Sequence, residues 1–354
     1  MLIYTDTDVC QWHLNQIKIE SKIESTRNLD IFIGQSGKKI AFFHIPFPWN
    51  PDHGEIFEDR FIRIKNLCDQ VVVIGSELHE HTVDFIFRNQ QENIKYFICG
   101  TIENIQCKNW MDWFNSTSTF YKHKPAVLDQ LTPYIIKEKT FDILLGRIKP
   151  HRGNIYNYVQ SNNLSDHVIM TYLKGNDNIA LQKQDSSGWL WEPGTELPTY
   201  DIKWTVTPAQ YQGHNMSISQ IIPLSIYNKT AYSVVAETNY DNRYSFYTEK
   251  IVKPILAERL FLMFSGQHYL RNLRSLGFKT FDGIIDETYD TIADNNQRFK
   301  LACEQITYLC KCSQEDILAK IRPITEHNKR VMLTTDWYGD FAKELRAVLL
   351  AHTN

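Results

Sequence analysis

Glycine and proline are scarce in this chain, 15 and 12 of 354 residues. That excludes a collagen-like or low-complexity organisation. Long apolar runs are also missing: the longest span about five residues, as in Leu260 to Phe264, whereas a membrane-crossing helix needs about 20. Met1-Leu2-Ile3-Tyr4-Thr5-Asp6 places no basic segment ahead of an apolar one, so no secretion signal is read there. Cysteine is sparse and unpatterned, with seven residues, no C-x-x-C pair, and only Cys310 and Cys312 close together. Reduced thiols in a cytoplasmic setting are the expectation. The sequons at Asn115, Asn163, Asn215 and Asn228 carry little weight without a secretion signal. Basic excess is lacking too: 38 Lys and Arg stand against 41 Asp and Glu, a net charge of −3. Nucleic-acid binders usually show a basic block, so nucleic acid is not the default partner, although a local basic groove stays open. A Walker phosphate loop, a G-x-G-x-x-G and any internal repeat are all absent. Kinase, dinucleotide-dehydrogenase and solenoid readings lose their main support.

What is present is core material. The hydrophobic fraction of 43% and the aromatic fraction of 13% rule out disorder as the main state, and the length suggests about two domains. The first third alternates strand and helix patterns. Lys39 to His44 reads as a strand running into a Pro- and His-rich loop. Phe57, Phe61, Ile64 and Cys68 form one helical face. Val71 to Ile74 reads as a buried strand stopped by Gly75. A second helix contains Val83 and Phe87, and Ile94 to Cys99 is another strand. Continuous apolar strands separated by helices predict a parallel sheet covered on both faces.

A boundary is expected within Lys124 to Lys139, after which the pattern restarts. Phe141 to Leu145 reads as strand, Gly153 to Val159 as helix, and His167 to Tyr172 as strand. Leu173 to Gln212 is polar and loop-like, an insertion or lid. Then come a strand at Tyr232 to Glu237, a helix at Thr248 to Arg259, a strand at Leu260 to Phe264, a helix at His268 to Leu276, and a helical tail from Asn295. The expected division is 1–135 and 136–354, with a ligand held between two α/β lobes at the carboxyl ends of strands.

The most informative stretch is Glu237 to Phe264. A buried strand ends at Glu237, a polar loop follows, and Tyr247-Thr248-Glu249-Lys250 opens a helix. Thr248 is a suitable N-cap, and a helix N-terminus favours anions. Lys250 adds a point charge, and Glu249 can accept hydrogen bonds from hydroxyls. Together these suit a sugar nucleotide, although a capped helix with an exposed Glu-Lys pair has the same spacing. Pro254 leaves the Lys250 carbonyl without its helical donor.

This segment resembles the donor-site signature of the α1,3-fucosyltransferase family, a strand ending in Glu-Asn-Ser followed by Tyr-x-Thr-Glu-Lys. Thr238 stands here where the family has Asn, and Tyr247 adjoins Thr248 with no residue between. The match covers roughly 30 residues. The resemblance implies an α/β fold of two Rossmann-like lobes (GT-B type) with a helical C-terminal tail. It implies an acceptor lobe followed by a lobe that binds a nucleotide-sugar donor, GDP- or UDP-linked, with no bound cofactor or metal. It places Glu237, Tyr247, Thr248, Glu249 and Lys250 at the donor. An arginine on an earlier loop is also implied, here Arg147 or Arg152, with Arg147 nearer the strand end. A glutamate after a buried strand of the first lobe serves as base in this family. The corresponding residue is Glu77 in Gly75-Ser76-Glu77-Leu78-His79-Glu80-His81, with His79 two residues on, although the family's Glu-Ser-Pro is missing. The implied activity is inverting sugar transfer to a glycan or other hydroxyl. Rivals are a DNA-base glycosyltransferase with the same donor lobe and a non-catalytic sugar-nucleotide or glycan binder.

Other candidates come from the residues themselves. His44, Asp52 and His53 can line an acceptor side. Asp6-Thr7-Asp8 has the Asp-x-Asp form of metal-dependent transferases but reads as a turn. Gly266-Gln267-His268 can add backbone contacts. Asp286 to Asp290 is either a sugar-binding patch or a solvated turn, and Trp189 with Trp191 is either a platform or packing.

Overall fold

Short apolar runs without helical periodicity become strands buried on both faces, and the amphipathic stretches between them become the helices that cover the sheets. A computed structural model describes residues 2–17, 24–45, 51–146, 149–173, 189–191 and 208–351. It divides into two compact units, residues 1–115 with 336–354, and residues 116–335.

The first unit contains β1 (Leu2–Thr5), β2 (Glu24–Thr26), β3 (Lys39–His44), β4 (Gln70–Gly75), β5 (Ile94–Ile98), β6 (Gly100–Ile102) and β7 (Lys108–Asn109). Its main sheet is parallel throughout, in the order β2-β1-β3-β4-β5-β7. Helix Pro51–Lys65 buries Phe57, Phe61 and Ile64, and its rings meet Phe43 and Phe85. Helix Glu80–Arg88 forms where the pattern puts it, but Phe87 is exposed. The buried arc is Thr82, Val83, Phe85 and Ile86, and Phe87 lies past its edge. Asp6-Thr7-Asp8 links β1 to helix Asp8–Gln16, with Thr7 as N-cap.

The boundary differs from the expected 1–135 and 136–354. The last helix, Trp337–Leu350, belongs to the first unit. Its Phe341, Leu345 and Leu349 recur every four residues and pack with Ile3, Cys10, Leu14, Phe42, Phe97 and Trp110. Periodicity shows that this helix needs an apolar cover. It does not show which of two cores supplies it.

The second unit contains β8 (Lys139–Leu145), β9 (Val168–Leu173), β10 (Trp189–Trp191), β11 (Pro208–Tyr211), β12 (His214–Ser217), β13 (Thr230–Ala236), β14 (Tyr244–Phe246) and β15 (Phe261–Phe264). Its sheet runs β10-β9-β8-β13-β15, parallel except for β10 on β9. Helix Pro150–Ser161 connects β8 to β9, and helix Glu249–Leu256 connects β13 to β15. Much of the expected insertion, 174–188 and 192–207, lies outside the described residues, as do the side chains of Trp189 and Trp191.

One buried polar network ties this sheet together. The Arg259 guanidinium donates to Asp142 Oδ1 (2.8 Å), Ser233 Oγ (3.0 Å), Thr230 Oγ1 (2.7 Å) and the carbonyls of Tyr227, Thr230 and Tyr232. Asp142 and Ser233 are register partners on β8 and β13. Gly266 after β15 is dictated by space: a Cβ there would sit 2.1 Å from the Asp241 carbonyl oxygen.

Both units are thus Rossmann-like α/β layers, and the C-terminus is helical. In each, strand order reverses at one place, between β1 and β3 in the first and between β8 and β13 in the second. Ligands of open α/β sheets bind outside the carboxyl ends of strands at such reversals.

Candidate functional site

The reversal in the second unit is built from the ends of β8 and β13. After β8, Lys149 caps helix Pro150–Ser161, whose first turn carries His151 and Arg152. Lys149 Nζ donates to the Thr238 carbonyl (2.7 Å) and reaches Asn239 Oδ1 (3.3 Å). His151 Nε2 lies 2.9 Å from the Glu237 carbonyl. A carbonyl only accepts, so that nitrogen carries the ring proton. Burial first, and the Arg152 charge second, push the His151 pKa down to about 3, so the ring is neutral near pH 7. Arg152 is buried, and its Nη2 donates to the carbonyls of Ala236 (3.4 Å) and Glu237 (3.2 Å). It is therefore not a solvated loop arginine. Arg147 lies outside the described residues.

After β13, the chain turns through Thr238 and Asn239 and enters helix Glu249–Leu256. Thr248 caps this helix, its hydroxyl accepting from Lys250 N at 3.2 Å. Glu237 is fully buried. Its Oε2 accepts from the Thr248 hydroxyl (2.8 Å) and Thr238 N (3.2 Å), and its Oε1 accepts from the Tyr269 hydroxyl (3.2 Å). Tyr247 is also fully buried, with its ring edge-on to Tyr269 at 5.2 Å. These two residues hold the cap in place from below.

Lys250 is the part of the motif that reaches solvent, with 28% of its side chain exposed. Its Nζ contacts Glu249 Oε1 (2.9 Å), Thr238 Oγ1 (3.1 Å) and Thr248 Oγ1 (3.4 Å). Burial resists ionisation of Glu249, but Lys250 and then Lys253 outweigh it and hold the carboxyl below the usual glutamate range. Glu237 goes the other way: burial outweighs Lys250 and raises it. Two carboxylates that both interact with Lys250 are thus driven in opposite directions by their surroundings. Lys149, Tyr269 and Lys253 carry no sequence signal of their own; the spacing of the motif gives no hint that they join it.

In the first unit, Glu77 follows β4 by two residues. Its Oε2 is 2.9 Å from His79 Nε2, and its Oε1 accepts from Trp113 Nε1 at 3.2 Å. His79 is the N-cap of helix Glu80–Arg88, so Glu80 and His81 fall inside the helix. Asp112 was missed by sequence. Burial first, and the Glu77 charge second, raise it above the ordinary carboxylate range. His44, ending β3, lies 3.2 Å from Ser76 Oγ, which also accepts from Trp110 Nε1 at 3.4 Å. The side chains of Asp52 and His53 lie outside the described residues.

Asp6 pairs with Arg60 (3.0 Å) and Asp8 with Arg27, so the two carboxylates of Asp-x-Asp serve different cations. Among the described residues, no group of three His, Cys, Asp or Glu is arranged to hold a metal, and no helix is long and apolar enough to cross a membrane. In the Asp286 to Asp290 segment, Asp286 and Thr288 are exposed, whereas Glu287, Tyr289 and Asp290 are buried. Glu287 is buried against Thr280, Phe281 N and Arg274. Asp290 accepts from the backbone of Leu270 and Arg271, closing the first turn of helix Tyr269–Ser275.

No family model matches the chain, and no curated protein matches its sequence. Among solved structures, the chain is similar to an α,α-trehalose-phosphate synthase (UDP-forming) from Burkholderia vietnamiensis. That alignment has 12% identity, covers 98% of this chain and 72% of the other, and has a TM-score of 0.40. The chain is also similar to an α1,3-fucosyltransferase with GDP-fucose, at 10% identity over 95% of this chain and 90% of the other, with a TM-score of 0.36. Likeness this loose assigns no activity.

Proposed function

We propose that this chain is a glycosyltransferase of the GT-B type. It moves a sugar from a nucleoside-diphosphate sugar, GDP- or UDP-linked, to a hydroxyl of a glycan or other acceptor, with inversion and without a metal. The observation that carries this reading is the convergence of Lys149, Arg152 and Lys250 on the carboxyl end of β13, beside a capped helix N-terminus at the strand-order reversal. Fixed cations and helix N–H groups are what a leaving diphosphate requires.

In this reading Lys250 and the N-terminus of helix Glu249–Leu256 take the diphosphate. Glu249, kept ionised, accepts from a ribose or sugar hydroxyl. Glu237, Tyr247 and Thr248 set the position of that turn, and Arg152 with Lys149 fixes the loop that faces it. Glu77 is the base, oriented by His79 and Trp113. The acceptor oxygen attacks the anomeric carbon, its proton passes to Glu77, and the bond to the diphosphate oxygen breaks with its electron pair leaving on the diphosphate.

A thermal-shift panel of GDP, UDP, CMP, ADP and their common sugar conjugates tests this reading. A ligand at about 100 times its Kd adds roughly 2.7 kcal/mol to stability. One nucleoside diphosphate should raise Tm by a few degrees, and Lys250→Ala should remove that shift, measured against the variant's own unliganded Tm, which drops because Glu249 loses its partner. Silence across the panel with folded protein would overturn it.

A further inference from the structure

Lys253 lies one turn into helix Glu249–Leu256, three residues after Lys250 and four after Glu249. Residues at these spacings share a helix face. A helical side chain leans back toward the N-terminus, so Lys253 covers the turn that carries Glu249 and Lys250. The residue is only 8% exposed. Among the described residues its ammonium makes no hydrogen bond and no ion pair. The charged groups facing it are Glu249 and Lys250 on its own helix, Asp142 on β8, and Glu237 at the end of β13.

Each of those carboxylates is already engaged. Asp142 accepts from Arg259 and Ser233, Glu237 from Thr248 and Tyr269, and Glu249 from Lys250. Buried polar groups are normally satisfied, and a buried charge without a partner is costly. Surface lysines tolerate such freedom because water solvates them. Lys253 is largely buried, and it lies next to the first turn of helix Glu249–Leu256, one of the two helices that start at the strand-order reversal of the second unit.

We propose that Lys253 is a second ammonium ligand of this anion site, so that Lys250 and Lys253 together receive the two phosphoryl groups of a nucleoside diphosphate. The inference rests on the donor-site reading above and sharpens it. One lysine marks a phosphate; two on successive turns favour a diphosphate over a monophosphate. A pH signature follows. Burial is the main cause that pushes the Lys253 ammonium down to about 8, with the neighbouring carboxylates only partly opposing it. A bound diphosphate favours the charged form and raises that value. Binding therefore takes up a proton on the alkaline side. Affinity is full below about pH 8 and falls as pH rises further, because the free protein has then lost a proton that the complex keeps.

The experiment is titration calorimetry with UDP, GDP and inorganic pyrophosphate, at about pH 7 and about pH 8.5, in buffers of different ionisation enthalpy. Wild type should take up on the order of half a proton or more at the higher pH and little at the lower. Lys253→Met should lose that uptake and bind on the order of 10-fold more weakly. Lys253→Arg should keep binding without uptake, because guanidinium stays charged throughout, and it controls for misfolding of the methionine variant. Nucleotide binding with no proton uptake in wild type, or unchanged in Lys253→Met, overturns the role of Lys253 and leaves the donor site standing. Failure of both nucleotides to bind overturns the donor reading instead. Pyrophosphate then decides on Lys253 alone: lysine-dependent uptake supports the anion site, and none overturns it.

Discussion

The Glu237 carboxylate accepts a hydrogen bond from the Thr248 hydroxyl at 2.8 Å. This contact joins the end of β13 to the cap of helix Glu249–Leu256 across eleven residues of chain. The same Thr248 oxygen accepts from Lys250 N. Strand end, cap and first helical turn therefore form one rigid piece. Glu237→Gln replaces an acceptor-only group with one that also donates, leaving part of this set unsatisfied. The expected cost is about 1–3 kcal/mol, read by chemical denaturation, together with weaker nucleotide binding. Thr248→Ala should cost about 1 kcal/mol, and Thr248→Ser should recover most of it.

Arg259 is the centre of the second unit's buried polar network, and Asp142 is its ionic partner at 2.8 Å. Arg259→Met leaves the Asp142 carboxylate buried and unpaired. The expected loss is about 3–5 kcal/mol, with a lower denaturation midpoint. The double replacement Arg259→Met with Asp142→Leu should recover the part due to the unpaired carboxylate, while the carbonyls of Tyr227, Thr230 and Tyr232 stay without the Arg259 donor. A double variant no better than the single one would contradict this account.

Glu77→Gln should separate binding from chemistry. The substitution keeps the size of the side chain and removes the base. Donor binding, measured calorimetrically, should stay within about twofold, while the transfer rate falls on the order of 10²–10⁴-fold. Retained transfer would remove Glu77 from the mechanism.

Three histidines, His13 and His151 buried and His44 partly buried, make the fold sensitive to acid. Burial lowers His13 and His44 to about 4 and, with Arg152, His151 to about 3. The unfolded chain protonates them near pH 6.5. Between that value and about 4, the unfolded state binds more protons, so stability falls as pH falls. Above about pH 6.5 these residues add no slope. The midpoint of urea denaturation, followed from pH 7 toward pH 4.5, should drop steadily, and His13→Phe should flatten part of the decline. His13 is packed among Trp110, Phe42 and Phe341, where a phenyl ring fits the surroundings.

The last helix is a core element of the first unit. Leu345 is fully buried there. Leu345→Ala should cost about 2–5 kcal/mol. Removal of residues 336–354 should expose the apolar face of the first sheet's core and raise binding of a hydrophobic dye. Unchanged dye binding and stability would show that this helix is dispensable.

The sequence by itself determined the local elements. Val71 to Ile74 and Leu260 to Phe264 are apolar runs too short for helices, and they are strands. Thr248 before Glu-Lys is a cap because its hydroxyl can accept from the free N–H groups of the next turn. The motif Tyr247 to Lys250 and the strand end at Glu237 were legible for the same reason: a few neighbouring residues set their chemistry. The tertiary structure decided everything that depends on distant partners. It buried Glu237 and Tyr247, both expected at the donor, by bonding Glu237 to Thr248 and Tyr269 and packing Tyr247 on the Tyr269 ring. It brought Lys149 and Arg152 onto the carbonyls of Thr238 and Glu237 just after β13, 89 and 85 residues away in the chain. It sent the last helix to the first unit, and it buried Glu287 beside Arg274 and Asp290 at the start of helix Tyr269–Ser275. Periodicity encodes which face must be buried. Only the packed chain decides against what, because that choice is made by shape and charge complementarity between segments that no local pattern connects.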